Sequence, residues 1–139
     1  MLSVNRMTDY ATLVLTRLAC DPDHPQSAAT LGGEIPLATA TIRKVLRILA
    51  SRGLLISRRG RGGGFILARP ADQISLAQVL EAMDDPMILT ACCHGGSGCP
   101  LGGVCQPRPH WLRISQGIRA LLEETTLLNL VDDTSHSVA

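Results

Sequence analysis

Leu54-Leu55-Ile56-Ser57-Arg58-Arg59-Gly60-Arg61-Gly62-Gly63-Gly64-Phe65-Ile66-Leu67-Ala68-Arg69-Pro70 is the stretch that decides the fold. Its two flanks, 54–59 and 65–69, are short runs rich in aliphatic and aromatic residues and read as strands. Between them lies a tip of glycine and arginine. Pro70 closes the second run, because a proline cannot donate to a ladder. The reading is a β-hairpin around a flexible, basic tip. A glycine-rich run can also cradle phosphate when it opens a helix. Here the glycines precede a strand, which argues against a phosphate loop or a dinucleotide site.

Upstream of the hairpin the pattern is helical. Residues 38–52 place Ile42, Val45, Leu46 and Leu49 on one face, and Gly53 stops the helix. Ile42, Val45 and Leu49 are expected in the core. Residues 7–20 form an earlier helix with Tyr10, Leu13/Val14 and Leu18 as its apolar stripe; Cys20 is expected near that stripe as a small core filler. Asp21-Pro22-Asp23-His24-Pro25 ends it. Ser27 caps a short helix through Leu31, and Gly32-Gly33-Glu34-Ile35-Pro36 reads as a turn. Short helix, turn, longer helix and hairpin together make a winged helix-turn-helix.

Downstream, Ser75 caps a helix over 75–84. A final long helix over 110–124 carries Trp111, Leu112, Ile114, Ile118, Leu121 and Leu122. That is more apolar surface than a lone surface helix needs, so pairing with a second copy is expected. Thr126–Val131 can add one further turn. The expected architecture is mainly α. It has a winged helix-turn-helix domain over 1–84, a cysteine-rich loop over 85–109, a dimerisation helix over 110–131 and a disordered tail over 132–139. Aromatic residues are 2% of the chain against 45% hydrophobic overall, so the core must be aliphatic, which suits packed helices. No apolar run is long enough to span a membrane, and the first residues do not resemble a signal peptide. A cytoplasmic protein with no membrane partner is therefore expected.

The net charge of +1 conceals an uneven layout. No acidic residue lies between Glu34 and Asp72, whereas that stretch holds eight of the 13 basic residues. Such a block is the footprint of a protein that binds double-stranded DNA through its phosphates. In a winged helix the start of the second helix of the pair meets base edges in the major groove. Thr39, Thr41, Arg43 and Lys44 are the candidate groove contacts. Arginine suits guanine edges, and threonine offers a hydroxyl or a methyl. Arg58, Arg59 and Arg61 on the wing are candidates for phosphate or minor-groove contact. No nucleophile–base pair suggests an enzyme.

Four of the five cysteines fall in Cys92-Cys93-His94-Gly95-Gly96-Ser97-Gly98-Cys99-Pro100-Leu101-Gly102-Gly103-Val104-Cys105. Structural zinc sites usually pair cysteines two to four residues apart. Here five residues separate Cys99 from Cys105, and five separate Cys93 from Cys99, or six if Cys92 is counted instead. Widely spaced thiolates on a glycine-rich loop suit a larger object, an iron–sulfur cluster, with a fourth ligand from elsewhere. A thiol–disulfide switch also fits. So does a small metal-carrying or redox protein whose basic block is incidental. His94 and His110 lie close enough in sequence to be ligands.

Met7-Thr8-Asp9-Tyr10-Ala11, the wing Arg59-Gly60-x-Gly62-Gly63-Gly64-Phe65, Ile74-Ser75-Leu76-x-x-Val79-Leu80 and the three-cysteine loop ending at Trp111 together resemble the iron–sulfur-binding winged-helix regulators, the Rrf-two family. The resemblance covers about residues 1–132. Thr90-x-Cys92 and Arg108-x-His110-Trp111 look closest to the regulators of the Suf cluster-assembly operon. The resemblance implies a homodimeric repressor of cluster-assembly genes. It would bind a palindromic operator, with affinity set by a 2Fe–2S or 4Fe–4S cluster, or else sense nitric oxide or redox state. It implies Cys99, Cys105 and either Cys92 or Cys93 as ligands. Relatives with a histidine ligand three residues after the last cysteine have Arg108 as their counterpart here, and a guanidinium is a poor ligand. The Thr8-Asp9 segment matches relatives in which an aspartate completes the site across the dimer. Asp9 of the partner subunit is therefore the implied fourth ligand, with His110 second.

Overall fold

The computed structural model describes residues 3–85, 89–90, 99–101 and 103–134. Helix α1 (Arg6–Cys20) starts where the Asn5 side chain accepts the Thr8 N–H at 3.0 Å. Its buried stripe is Thr8, Ala11, Val14, Leu15 and Leu18. Of the expected stripe Tyr10, Leu13/Val14 and Leu18, Val14 and Leu18 are buried, while Tyr10 and Leu13 lie off the buried face. Tyr10 is half-buried, and Leu13 stands 43% exposed. Cys20 is exposed rather than core filler. Two residues beyond Leu18, it lies about 200° round the helix from the buried face.

Helix α2 (Ala28–Glu34) is capped by Ser27, whose hydroxyl accepts the Thr30 N–H. It runs through Gly32, Gly33 and Glu34 instead of turning there. The reason is packing. A β-carbon on Gly32 would stand 2.8 Å from the Thr39 hydroxyl, so glycine lets the next helix approach closely. Ile35 and Leu31 are buried beneath the junction. Helix α3 (Thr39–Ser51) turns Ile42, Val45, Leu46 and Leu49 inward, all at 0% exposure, as the 3.6-residue period requires.

Strands β1 (Leu55–Arg58) and β2 (Gly64–Leu67) pair antiparallel, with Leu55 opposite Leu67 and Arg58 opposite Gly64. After a short 3₁₀ turn (Ala71–Gln73), helix α4 (Leu76–Ala82) opens with a capping box between Ser75 and Gln78. Helix α5 (Arg108–Glu124) follows, with Pro107 at its N-cap, and helix α6 (Leu127–Thr134) completes the order. The dimerisation segment expected over 110–131 thus consists of the long helix and, in place of one further turn, a separate helix α6. Thr126 and Asn129 cap α6 reciprocally, the Asn129 Oδ1 accepting the Thr126 N–H at 2.9 Å. Residues 132–134, expected in a disordered tail, belong to α6, while 135–139 lie outside the described residues.

The core is one aliphatic cluster. α1 packs against α3, β2, α4 and α6. Leu127 of α6 is fully buried in the same cluster as Leu15, Leu46 and Ile74. The break between α5 and α6 is tied to the winged domain by two backbone bonds, Leu76 N–H to the Thr125 carbonyl and Leu127 N–H to the Ile74 carbonyl. α5 has no fully buried residue.

Candidate functional site

Burying Ile42, Val45, Leu46 and Leu49 turns the other side of α3 to solvent. Thr39, Ala40, Arg43, Lys44 and Arg47 are exposed, and Thr41 is half-buried beside the core face. Thr41 is therefore not in the outward row with Thr39, Arg43 and Lys44. Arg47, which the sequence reading counts only within the basic block, joins that row. Its spacing of four from Arg43 carries this signal. Ala40, Arg43, Lys44, Arg47 and Ile48 line a shallow depression of about 350 Å³. Small apolar groups form part of it and cationic groups surround them, which matches a groove edge bearing methyl groups and acceptors.

The wing is held by its glycines and by an isolated β-bridge. Gln26 bridges Phe65 through a reciprocal pair of backbone bonds, at 3.1 and 2.9 Å. A β-carbon on Gly64 would lie 2.5 Å from the Gln26 backbone, and Gly64 has φ 153°. Only glycine fits there. Arg58, Arg59 and Arg61 are exposed beside the tip. Among the described residues none of Arg43, Lys44, Arg47, Arg58, Arg59 and Arg61 forms an ion pair, whereas Arg17, Arg52 and Arg119 do. Arg17 holds Glu34, which ties α1 to α2. The Glu34 hydrogen bond also raises the pKa of Arg17. Arg43, Lys44, Arg47, Arg58, Arg59 and Arg61 thus stand as exposed cations of α3 and the wing with no ion-pair partner among the described residues.

Cys99 and Cys105 are free thiols, each half-buried. Cys105 stands one turn before α5, and its carbonyl accepts the Arg108 N–H at 3.4 Å. Cys92 and Cys93 lie outside the described residues. His110 is exposed at the start of α5, and Asp9 is exposed on the first turn of α1. Among the described residues no three His, Cys, Asp or Glu side chains stand close enough to hold a metal ion. Within one chain, then, the described cysteines are not joined by Asp9 and His110. No helix of the described residues is long and apolar enough to cross a membrane.

The family model for "Rrf2: Iron-dependent Transcriptional regulator" matches residues 4–133. The chain belongs to the Rrf2 family. The HTH-type transcriptional regulator IscR of Yersinia pestis is 30% identical over 125 residues, covering 89% of this chain and 76% of its own. IscR of Cronobacter sakazakii is 32% identical over 110 residues, covering 73% and 67%. Two solved structures share the fold at 21% identity. CymR, the global cysteine regulator of B. subtilis, aligns with a TM-score of 0.77 over 95% of this chain and 98% of its own. IscR of T. potens aligns with a TM-score of 0.76 over 99% and 93%. This Rrf2 protein is accordingly a winged-helix transcriptional regulator of the IscR type and not an enzyme.

Proposed function

We propose that this chain is a homodimeric repressor of iron–sulfur cluster assembly genes, of the Suf type, that binds a palindromic operator. Thr39, Arg43 and Lys44, joined by Arg47, would meet base edges. Arg58, Arg59 and Arg61 would grip the backbone or the minor groove. The observation that carries the reading is the set of exposed cations on α3 and on the wing that form no ion pair among the described residues, on a chain whose family is regulatory. The exposed apolar face of α5, with Trp111 at 41%, Ile114 at 47% and Leu121 at 65%, supports a second copy lying along it. A two-fold dimer would present two recognition helices to the two halves of an operator.

The cysteine segment is the proposed sensor. Cys99 and Cys105 are thiols free of disulfide, and with Cys92 or Cys93 they form a donor set suited to an iron–sulfur cluster. Asp9 of the partner subunit, or His110, would be the remaining ligand. When bound, the cluster supplies iron–thiolate bonds whose presence reports iron supply and oxidation. The chain's own part is to hold Cys105 one turn from α5, so that ordering the thiols orients the dimer helix.

Anaerobic purification with visible and EPR spectra, followed by operator binding with and without the bound group, tests this reading. A coloured protein holding iron and sulfide, with operator affinity that changes on loading, is the expected result. A colourless, iron-free protein after reconstitution would sink the cluster assignment. Failure to bind its own promoter DNA in a salt-dependent way would sink the regulator assignment and favour a metal or redox carrier.

A further inference from the structure

We propose that Asp84 and Arg52 form a coupling joint that positions the recognition helix according to the state of the cysteine segment. This rests on the reading of that segment as sensory input. Asp84 is the one non-glycine at positive φ among the described residues, at 51°. It closes α4 in a tight turn, its N–H reaching the Glu81 carbonyl while the Asp85 N–H reaches the Leu80 carbonyl. Glycine is the usual occupant of such a position. What aspartate adds is a carboxylate. Asp84 Oδ2 accepts from the Arg52 guanidinium at 2.7 Å, and Arg52 is the C-cap of α3.

The next residue makes a second tie. Asp85 Oδ2 accepts the Asn5 backbone N–H at 2.8 Å. Asn5 is the N-cap of α1, and its carbonyl accepts the Asp9 N–H. Two adjacent carboxylates therefore stand where the chain leaves α4 toward Cys99. One holds the end of α3 and the other the start of α1. The Arg52–Asp84 pair is solvent-exposed, with the side chains 48% and 75% exposed, so it adds little to global stability. Its effect is positional: a shift of the α4 exit pulls on the end of the helix that faces DNA.

Coupling between two sites is reciprocal, so it is readable without any bound cluster. The full-length reduced chain is alkylated with iodoacetamide under anaerobic conditions, with and without a duplex that the wild-type chain selects from a random pool. Peptide mass spectrometry then gives the rates at Cys99 and Cys105. Bound duplex is expected to change these rates by about fivefold in the wild type. Asp84→Asn keeps a residue that tolerates the left-handed turn but removes the charge. It and Arg52→Gln are expected to bring the change to within about twofold while the melting temperature stays put. Combining them should add nothing further, since each breaks the same joint. An unchanged duplex effect in both variants overturns the proposal, as does a wild type whose thiols ignore the duplex. So does an Arg52→Gln chain that loses DNA affinity but keeps the thiol response, for then Arg52 is a phosphate contact. Iron and sulfide content after reconstitution is measured separately, so loss of the cluster reading is told apart from loss of the joint.

Discussion

Thr8 shows how a single atom can weigh on stability. Its side chain is fully buried, and its hydroxyl has no hydrogen-bond partner. A buried, unsatisfied hydroxyl costs on the order of 1–3 kcal/mol. Thr8→Val keeps the shape and removes the polar atom, so it should raise the unfolding free energy by about 1 kcal/mol in denaturant titration. On the DNA face the two classes of arginine should separate. Arg43→Ala should cost specific binding about 1–3 kcal/mol while random-sequence binding changes less. Arg61→Ala, on the wing tip, should weaken both alike and flatten the salt dependence. Competition titrations with specific and random duplexes at several salt concentrations distinguish them.

Among the elements, the wing depends most on one backbone position. Gly64→Ala would drive a methyl group into the Gln26 backbone, where the chain has no flexible side chain to move aside. The substitution should detach the Gln26–Phe65 bridge and lower stability by about 2 kcal/mol or more, with faster hydrogen exchange at Phe65. Helix α5 carries the other elemental prediction. Ile114→Glu with Leu121→Glu alters exposed positions only, so each chain should still fold. The pair should dissociate in sedimentation, because two carboxylates would be desolvated at the proposed seam. The wing and α3 were legible because glycine, proline and a 3.6-residue stripe are local signals. The end of α2 was not, since Gly32 and Gly33 read as a turn until Thr39 packs against them. Cys20 departs from its expected place for a geometric reason: Leu18 is on the buried face, and two residues further on the helix has turned about 200° to solvent. Arg47 was legible in principle, at four residues from Arg43, but only a known burial pattern for α3 picks it out.

At the scale of the molecule, α6 is a structural part of the winged domain and not an appendage to the long helix. Thr126-x-x-Asn129 carries its capping signal, yet nothing local says that Leu127 belongs in the same core as Leu15 and Ile74. Leu127→Ala should therefore cost about 2–5 kcal/mol in unfolding free energy, as for other buried leucines, despite lying more than a helix beyond the DNA-binding elements. Spacing alone proposes Cys99 and Cys105 as part of a thiol site. Spacing does not supply the full ligand set, because the proposed completing residues, Asp9 of the partner subunit or His110, lie outside the cysteine run. The burial of α1 against α6 also delays completion of the core during synthesis until α6 is available. The apolar side of α1 is covered in part by Leu127 and its neighbours, so the nascent chain carries an open seam until α6 has been made. Messages cut short in the α5 region would yield chains that present this seam to proteases and chaperones, and the cell would clear half-made regulators before they reach a promoter.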